Sequence, residues 1–314
     1  MNSSQNQIRA AAKALIDGNL VVFPTETVYG LGADALNPRA VDRIYEIKNR
    51  PKTHKLIVHI SSANRANFWT DVDDRFSALA NAFWPGPLTI LTKTRESSFI
   101  QNSVGQKVAL RSPANFMAKQ LLIEFERLGG NGVVAPSANR FGKLSPTTSD
   151  AAKEFLGPYL AISDLILDEG KCNVGIESTI IDITQRPAQI LRRGLVTQTQ
   201  LKEVLKEKIY YAQQATKENY PGTSKKHYMP KNPVVLNGVP KLGDAFIALA
   251  ETETPKGAIR ISSPKTILDF AAELYDSLRK SDTILGGRGE IHVNFHGQGE
   301  VAEAILERLT KAVD

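Results

Sequence analysis

Apolar and polar residues follow two periods along this chain, and the switches between them divide it into elements. Ile8 to Asp17 has a helical pattern closed by Gly18, a residue suited to the left-handed position after a helix. Leu20 to Phe23 is a short apolar run that reads as a buried strand. Asn37-Pro38 supplies an N-cap and a proline at the first helical position. Val41, Ile44, Tyr45 and Ile47 then recur at helical spacing to about Lys48. Leu56 to Ile60 predicts a second strand. A helix over about Arg75 to Phe83 is stopped by Trp84-Pro85-Gly86-Pro87, before a third strand from Leu88 to Lys93. Further strands are predicted at 108–110, 133–135, 165–167, 179–183 and 189–191, with a helix from about Asn115 to Arg127 between the first two. This alternation predicts an α/β sheet of mixed strand direction.

From about Leu195 the pattern changes. A short helix, Thr199 to Lys208, precedes a polar, basic stretch without period from Tyr210 to Asn232, which reads as a linker. A strand (256–261), an amphipathic helix (266–279), a strand (291–295) and a helix (301–312) follow, predicting a small second α/β domain. The boundaries expected are a first domain over 1–194, a linker over 195–232 and a second domain over 233–314. At roughly 150 residues per domain, 314 residues suit two domains.

Composition narrows the chemistry. Hydrophobic residues at 42% and charged residues at 23% are those of an ordinary globular protein. No apolar run approaches the roughly 18 residues that span a bilayer, so no membrane partner is expected. Met1 to Gln7 lacks the basic and apolar regions of a signal peptide, and the single cysteine, Cys172, suits a reducing compartment, so a cytoplasmic location is expected. Five histidines without Cys/His clustering argue against structural zinc. The net charge of +6 suits anionic partners, nucleotides and RNA alike.

Candidate chemistry gathers where strands end. Pro24-Thr25-Glu26-Thr27-Val28-Tyr29-Gly30-Leu31-Gly32 follows the first strand, and its hydroxyls and glycines suit either a ligand crevice or a plain turn. Lys48 to His59 contains Arg50, Lys52, His54 and Lys55 and no acidic residue; it reads as a phosphate-facing field or a solvated basic loop. Arg111 follows a strand directly and suits a bidentate grip on a carboxylate or phosphate, or an ordinary ion pair. Ser137-Ala138-Asn139, Glu177-Ser178-Thr179 and Arg192-Arg193-Gly194 flank three other strands. Together these loops describe a basic crevice almost without free carboxylates. P-loop, dinucleotide and nucleophile-elbow motifs are missing, so positioning and charge neutralisation, as in nucleotidyl transfer, fit best.

With these residues in view, the sequence resembles the YrdC-like family in its long, two-domain form, the threonylcarbamoyl-AMP synthases. The resemblance lies in Pro24 to Leu31, Lys48-x-Arg50, Val58-His59, Leu110-Arg111-x-Pro113, Ser137-x-Asn139 and Val174 to Thr179. The linker adds Pro221-Gly222 and His227-Tyr228-Met229-Pro230. The fold implied is a twisted open mixed sheet with a basic cavity, joined to a smaller Rossmann-like domain. The activity implied is formation of threonylcarbamoyl-AMP and pyrophosphate from L-threonine, bicarbonate and ATP, with Mg2+ accompanying the ATP. A downstream transferase would pass the group to tRNA beside the anticodon, and weak RNA binding is a further expectation.

Carried over by residue, the resemblance places threonine against Thr27, His59, Arg111, Ala135 and Ser178. It places ATP against Lys48, Arg50, His54, Lys107, Ser137, Asn139, Ser145, Arg192 and Tyr228, with Lys48 and Arg50 as the catalytic cations. The linker is expected to fold over the cavity as a lid. Two departures add charge: His54-Lys55 stands where the family has Asn-Pro, and Lys107 where it has Thr. Two rival readings are an RNA-binding module and a nucleotide sensor without turnover. The first lacks the aromatics that single-strand binders interleave with their basic residues.

Overall fold

The computed structural model describes residues 3–97, 104–212 and 228–313. Strand β1 (Val21–Phe23) turns back on β2 (Gly30–Asp34), so residues 24–29 are the tip of an antiparallel hairpin. Gly32 lies opposite Val21, where a Cβ would come within 2.8 Å of the Phe23 ring and 3.0 Å of Val133. Gly32 therefore serves close strand packing, a correction to its expected place beside a ligand.

Eight more strands complete the sheet: β3 (Ile57–His59), β4 (Leu88–Lys93), β5 (Lys107–Arg111), β6 (Val133–Val134), β7 (Leu165–Ile166), β8 (Thr179–Asp182), β9 (Ala188–Arg192) and β10 (Ile209–Tyr211). Their order is β10-β9-β8-β4-β5-β3-β6-β2-β1-β7. The sheet is mixed: β3 runs parallel to β5, while β4 and β6 are antiparallel to their neighbours β5 and β3. This parallel pairing sets His59 beside Arg111, at the carboxyl ends of two strands.

Helices α1 (Ser3–Ile16) and α4 (Phe116–Arg127) share one core, while α2 (Pro38–Lys48), α3 (Asp74–Phe83), α5 (Ser149–Leu156) and α6 (Gln198–Leu205) surround the other. The Asn37 side chain accepts from the amides of Arg39 and Ala40, as an N-cap before Pro38 should. At the other end of α2, Asn49 adopts a left-handed conformation (φ 50°) and turns the chain into the basic loop.

The segment read as linker is partly domain. Thr197 and Gln200 form a capping box that starts α6, and Ile209–Tyr211 pairs in parallel with β9. Three residues at a sheet edge are too short to show a period, which is why the stretch from Tyr210 read as irregular. Pro221-Gly222, Lys225-Lys226 and His227 lie outside the described residues.

The second sheet is all parallel, in the order β11 (Val234–Leu236), β14 (Ile291–Asn294), β12 (Ala245–Ala248), β13 (Ile259–Ser262). Strands β11 and β12 are additions to the sequence reading; β12 is buried along its length and carries no alternation to reveal it. Helices α7 (Ile267–Leu285) and α8 (Glu300–Ala312) cover this sheet. Their core takes in Val28, Leu144, Ile176 and Tyr228 from outside the domain, so the two domains share apolar packing. At Gly175 a Cβ would lie 2.4 Å from the Ala271 carbonyl oxygen on α7, so only glycine permits this approach.

Candidate active site

Four strand ends and the loops behind them converge on one cleft that is partly open to solvent. Thr27, His59, Arg111, Ala135, Ser137 and Arg192 line it, joined by Arg50 from the basic loop and by Tyr228. Eight of the expected contact residues thus share one cavity, three of them arginines.

The hairpin tip is folded by Thr25. Its hydroxyl donates to the Val28 carbonyl at 2.7 Å, accepts from the Thr27 and Val28 amides and meets the Thr27 hydroxyl at 2.8 Å. This network fixes Thr27 against Arg111, whose Nη1 donates to Thr27 Oγ1 at 3.0 Å. Arg111 also faces the buried Glu26: Nη2 lies 2.7 Å from Oε1, yet neither atom makes an aligned hydrogen bond. A ligand carboxylate at Arg111 would share a guanidinium that already has one counter-charge. Glu26 is a site residue the sequence reading left without a role.

His59 is buried, and its Nδ1 has no hydrogen-bond partner among the described residues. Burial and the neighbouring Arg111 cation bring its pKa down to about 3, so the imidazole is neutral at physiological pH. Arg50 donates to the carbonyls of His54 (3.4 Å) and Lys55 (3.1 Å) and sits 5.8 Å from the centre of the Phe141 ring. Burial, with Arg192 adding repulsion, brings its pKa down to about 10, leaving it cationic.

Five other expected residues stand behind the wall. Lys48 is 1% exposed, and its ammonium donates to the carbonyls of Ser137 and Asn139. Lys48 thus holds the 137–139 loop in place; burial, Arg50 and Arg140 all push its pKa well below the ordinary lysine value. Asn139 donates to the carbonyls of Arg140 and Lys143 and braces the same loop. His54 packs edge-on against Phe141, and burial followed by Arg50 lowers its pKa. Ser178 Oγ meets Thr89 Oγ1 at 2.8 Å and accepts from Arg192 Nη2 at 3.0 Å. Ser145 donates to Glu177 Oε1 at 2.7 Å. Lys107 is placed elsewhere: it begins β5, at the opposite end of the strand from Arg111, with its ammonium 3.5 Å from Asp182.

Glu177, which lines the cleft, was read only as the start of a strand. Burial alone would raise its pKa, but the facing Arg308 and Arg192 cations and the Ser145 hydrogen bond bring it down to about 2. Tyr228 has a left-handed backbone (φ 64°) and stacks on Tyr275, with centroids 5.3 Å apart and planes 25° apart. Burial, reinforced by Glu177, raises the Tyr228 phenol, which therefore keeps its proton.

Both carboxylates are engaged. Glu26 faces Arg111 and accepts the Ala114 amide, while Glu177 accepts from Ser145, Tyr275 and Arg308. Neither belongs, among the described residues, to a group of three or more ligating side chains close enough to hold an ion. Asp244, Glu290 and His292 do converge closely enough for an ion, but in the second sheet; Asp244 already accepts the Lys241 and Glu290 amides there. Nor does a thiolate nucleophile stand ready. Cys172 is buried, which pushes its thiol up to about 12. The cleft can neutralise and orient a polyanion beside a small carboxylate.

Comparison with known proteins adds identity to this geometry. The Sua5_yciO_yrdC family model, described as telomere recombination, matches residues 13–194. The model for the threonylcarbamoyl-AMP synthase C-terminal domain matches residues 196–313. The threonylcarbamoyl-AMP synthase of Pyrococcus abyssi is 33% identical over 314 aligned residues, covering 98% of this chain and 84% of that protein. The Bacillus subtilis threonylcarbamoyl-AMP synthase is 31% identical, covering 90% and 86%. The crystal structure of P. abyssi Sua5 complexed with L-threonine superposes with a TM-score of 0.85 at 30% identity, covering 98% of this chain and 94% of that one.

Proposed function

The chain belongs to the Sua5/YciO/YrdC family and carries the family's C-terminal domain, and from that premise we propose that the cleft makes threonylcarbamoyl-AMP. The protein is a nucleotidyltransferase of tRNA modification that uses ATP and L-threonine. The observation that carries this reading is the trio of Arg50, Arg111 and Arg192 in one cleft with Thr27 and neutral His59.

Bicarbonate condenses with the threonine amine to give an N-carboxy-threonine, with loss of water. Its new carboxylate attacks the α-phosphorus of ATP; the P–O bond to the β-phosphate breaks, and pyrophosphate carries off the electron pair. The nucleophile is therefore a substrate carboxylate. Arg111 and Thr27 orient the threonine end, and Arg50 and Arg192 neutralise charge building on the phosphates. ATP enters as its magnesium complex. A separate transferase then consumes the adenylate on tRNA, and the positive charge of the chain supports weak contact with that RNA.

The test is release of pyrophosphate from ATP by the purified full chain. It should require threonine and bicarbonate together. Hydrolysis to ADP and phosphate at a rate indifferent to threonine would rule the reading out.

A further inference from the structure

Glu177 is where the two domains meet chemically, and each of its oxygens is in use. Oε1 accepts from Ser145 in the first domain. Oε2 accepts from the Tyr275 hydroxyl of α7 at 2.9 Å and from Arg308 Nε of α8 at 3.3 Å. A second Arg308 nitrogen, Nη2, donates to the Glu177 backbone carbonyl at 3.4 Å. Arg308 and Tyr275 are each 1% exposed. Polar ties elsewhere between the domains, such as Arg193 with Glu303, Thr199 with Glu300 and Arg279 with Glu154, are solvent-exposed and worth little.

Burying an arginine and a glutamate together costs several kcal/mol in desolvation, which only close geometry recovers. Adhesion does not require that cost here, because Val28, Leu144 and Ile176 already join the second domain's core. The buried pair is placed on a residue that lines the cleft. Around it stand Arg192, whose cation faces Glu177, and Tyr228, which stacks on Tyr275.

We propose that the C-terminal domain forms a working wall of the active site, with Arg308 and Tyr275 as positioning residues that hold Glu177. Through Glu177 and the Tyr275 ring they set Ser145, Arg192 and Tyr228 to receive the nucleotide. Of the threonine end, Ser178 touches this linkage through Arg192, while Thr27 and Arg111 are bonded to each other. The inference rests on the nucleotide reading of the cleft given above.

Calorimetric titration of the full chain with ATP and, separately, with threonine tests it, alongside a melting temperature for each variant. Tyr275→Phe keeps the ring stack and removes one hydroxyl; it should fold normally and bind ATP about 3- to 10-fold more weakly. Arg308→Met should weaken ATP binding by about 10- to 100-fold, with Arg308→Lys recovering part of the loss. Threonine affinity should stay within about twofold of the parent in Tyr275→Phe. Unchanged ATP affinity in both Tyr275→Phe and Arg308→Met would overturn the proposal. So would parallel losses of both ligands that track the fall in melting temperature. Parent protein that binds threonine but no ATP would instead sink the nucleotide reading of the cleft.

Discussion

Arg111 shows how burial changes what a substitution measures. Its guanidinium offsets the buried Glu26, so Arg111→Ala would strand a carboxylate as well as remove a ligand contact. Removing one partner of a buried pair costs about 3–5 kcal/mol, and Arg111→Ala should lose stability on that scale in urea unfolding. Adding Glu26→Gln should restore most of it, while threonine affinity stays about 10- to 100-fold down. Arg50, which donates to the His54 and Lys55 carbonyls of its own loop, should behave differently. Arg50→Ala should weaken ATP by about 10- to 100-fold and leave threonine binding nearly intact in the same titrations. Full stability of Arg111→Ala, or equal loss of both ligands in Arg50→Ala, would contradict this division. The places of His59 and Arg111 were legible in sequence because each stands at the carboxyl end of an apolar run, and that of Thr27 because Pro24 ends the run before it. Lys48 was not, since its position at a helix end fixes where the residue sits but not where four methylenes carry the ammonium. Lys107 stands at the far end of β5 from the cleft. Four residues of strand at about 3.3 Å each separate it from Arg111.

At the scale of elements, the cleft depends on how tightly the hairpin and its neighbours pack. Gly32→Ala would press a methyl against Phe23 and Val133, both buried in the core under β1 and β6. Overpacking of this kind costs about 1–3 kcal/mol, which a shift in the urea midpoint at constant slope would register. No shift would mean that the hairpin has room the structure does not show. Most helices and central strands were legible because caps, prolines and apolar runs bracket them. The edge strands β10 and β11 and the buried strand β12 were not, being three or four residues long and without alternation.

For the whole molecule, the joint at Glu177 makes stability depend on pH. Its pKa falls from the ordinary 4.5 to about 2 in the folded protein, so the unfolded chain binds more protons between those values. The stabilisation is present above pH 4.5 and is lost as pH falls toward 2, by roughly 3 kcal/mol in all. Glu177→Gln should flatten that part of the acid-unfolding profile, and an unchanged slope would show that other carboxylates dominate it. This joint was invisible in sequence because Tyr275 and Arg308 lie 98 and 131 positions beyond Glu177.

The central claim, that the cleft joins carboxylated threonine to AMP with no protein nucleophile, has one direct measurement. The full chain is incubated with ATP, magnesium, threonine and carbon-13 bicarbonate, and the adenylate formed is weighed by mass spectrometry. The account predicts a threonine-dependent adenylate that carries the heavy carbon in equal proportion to the bicarbonate supplied, with one pyrophosphate released per molecule. An adenylate of threonine without that carbon, or AMP left attached to the protein, would contradict it.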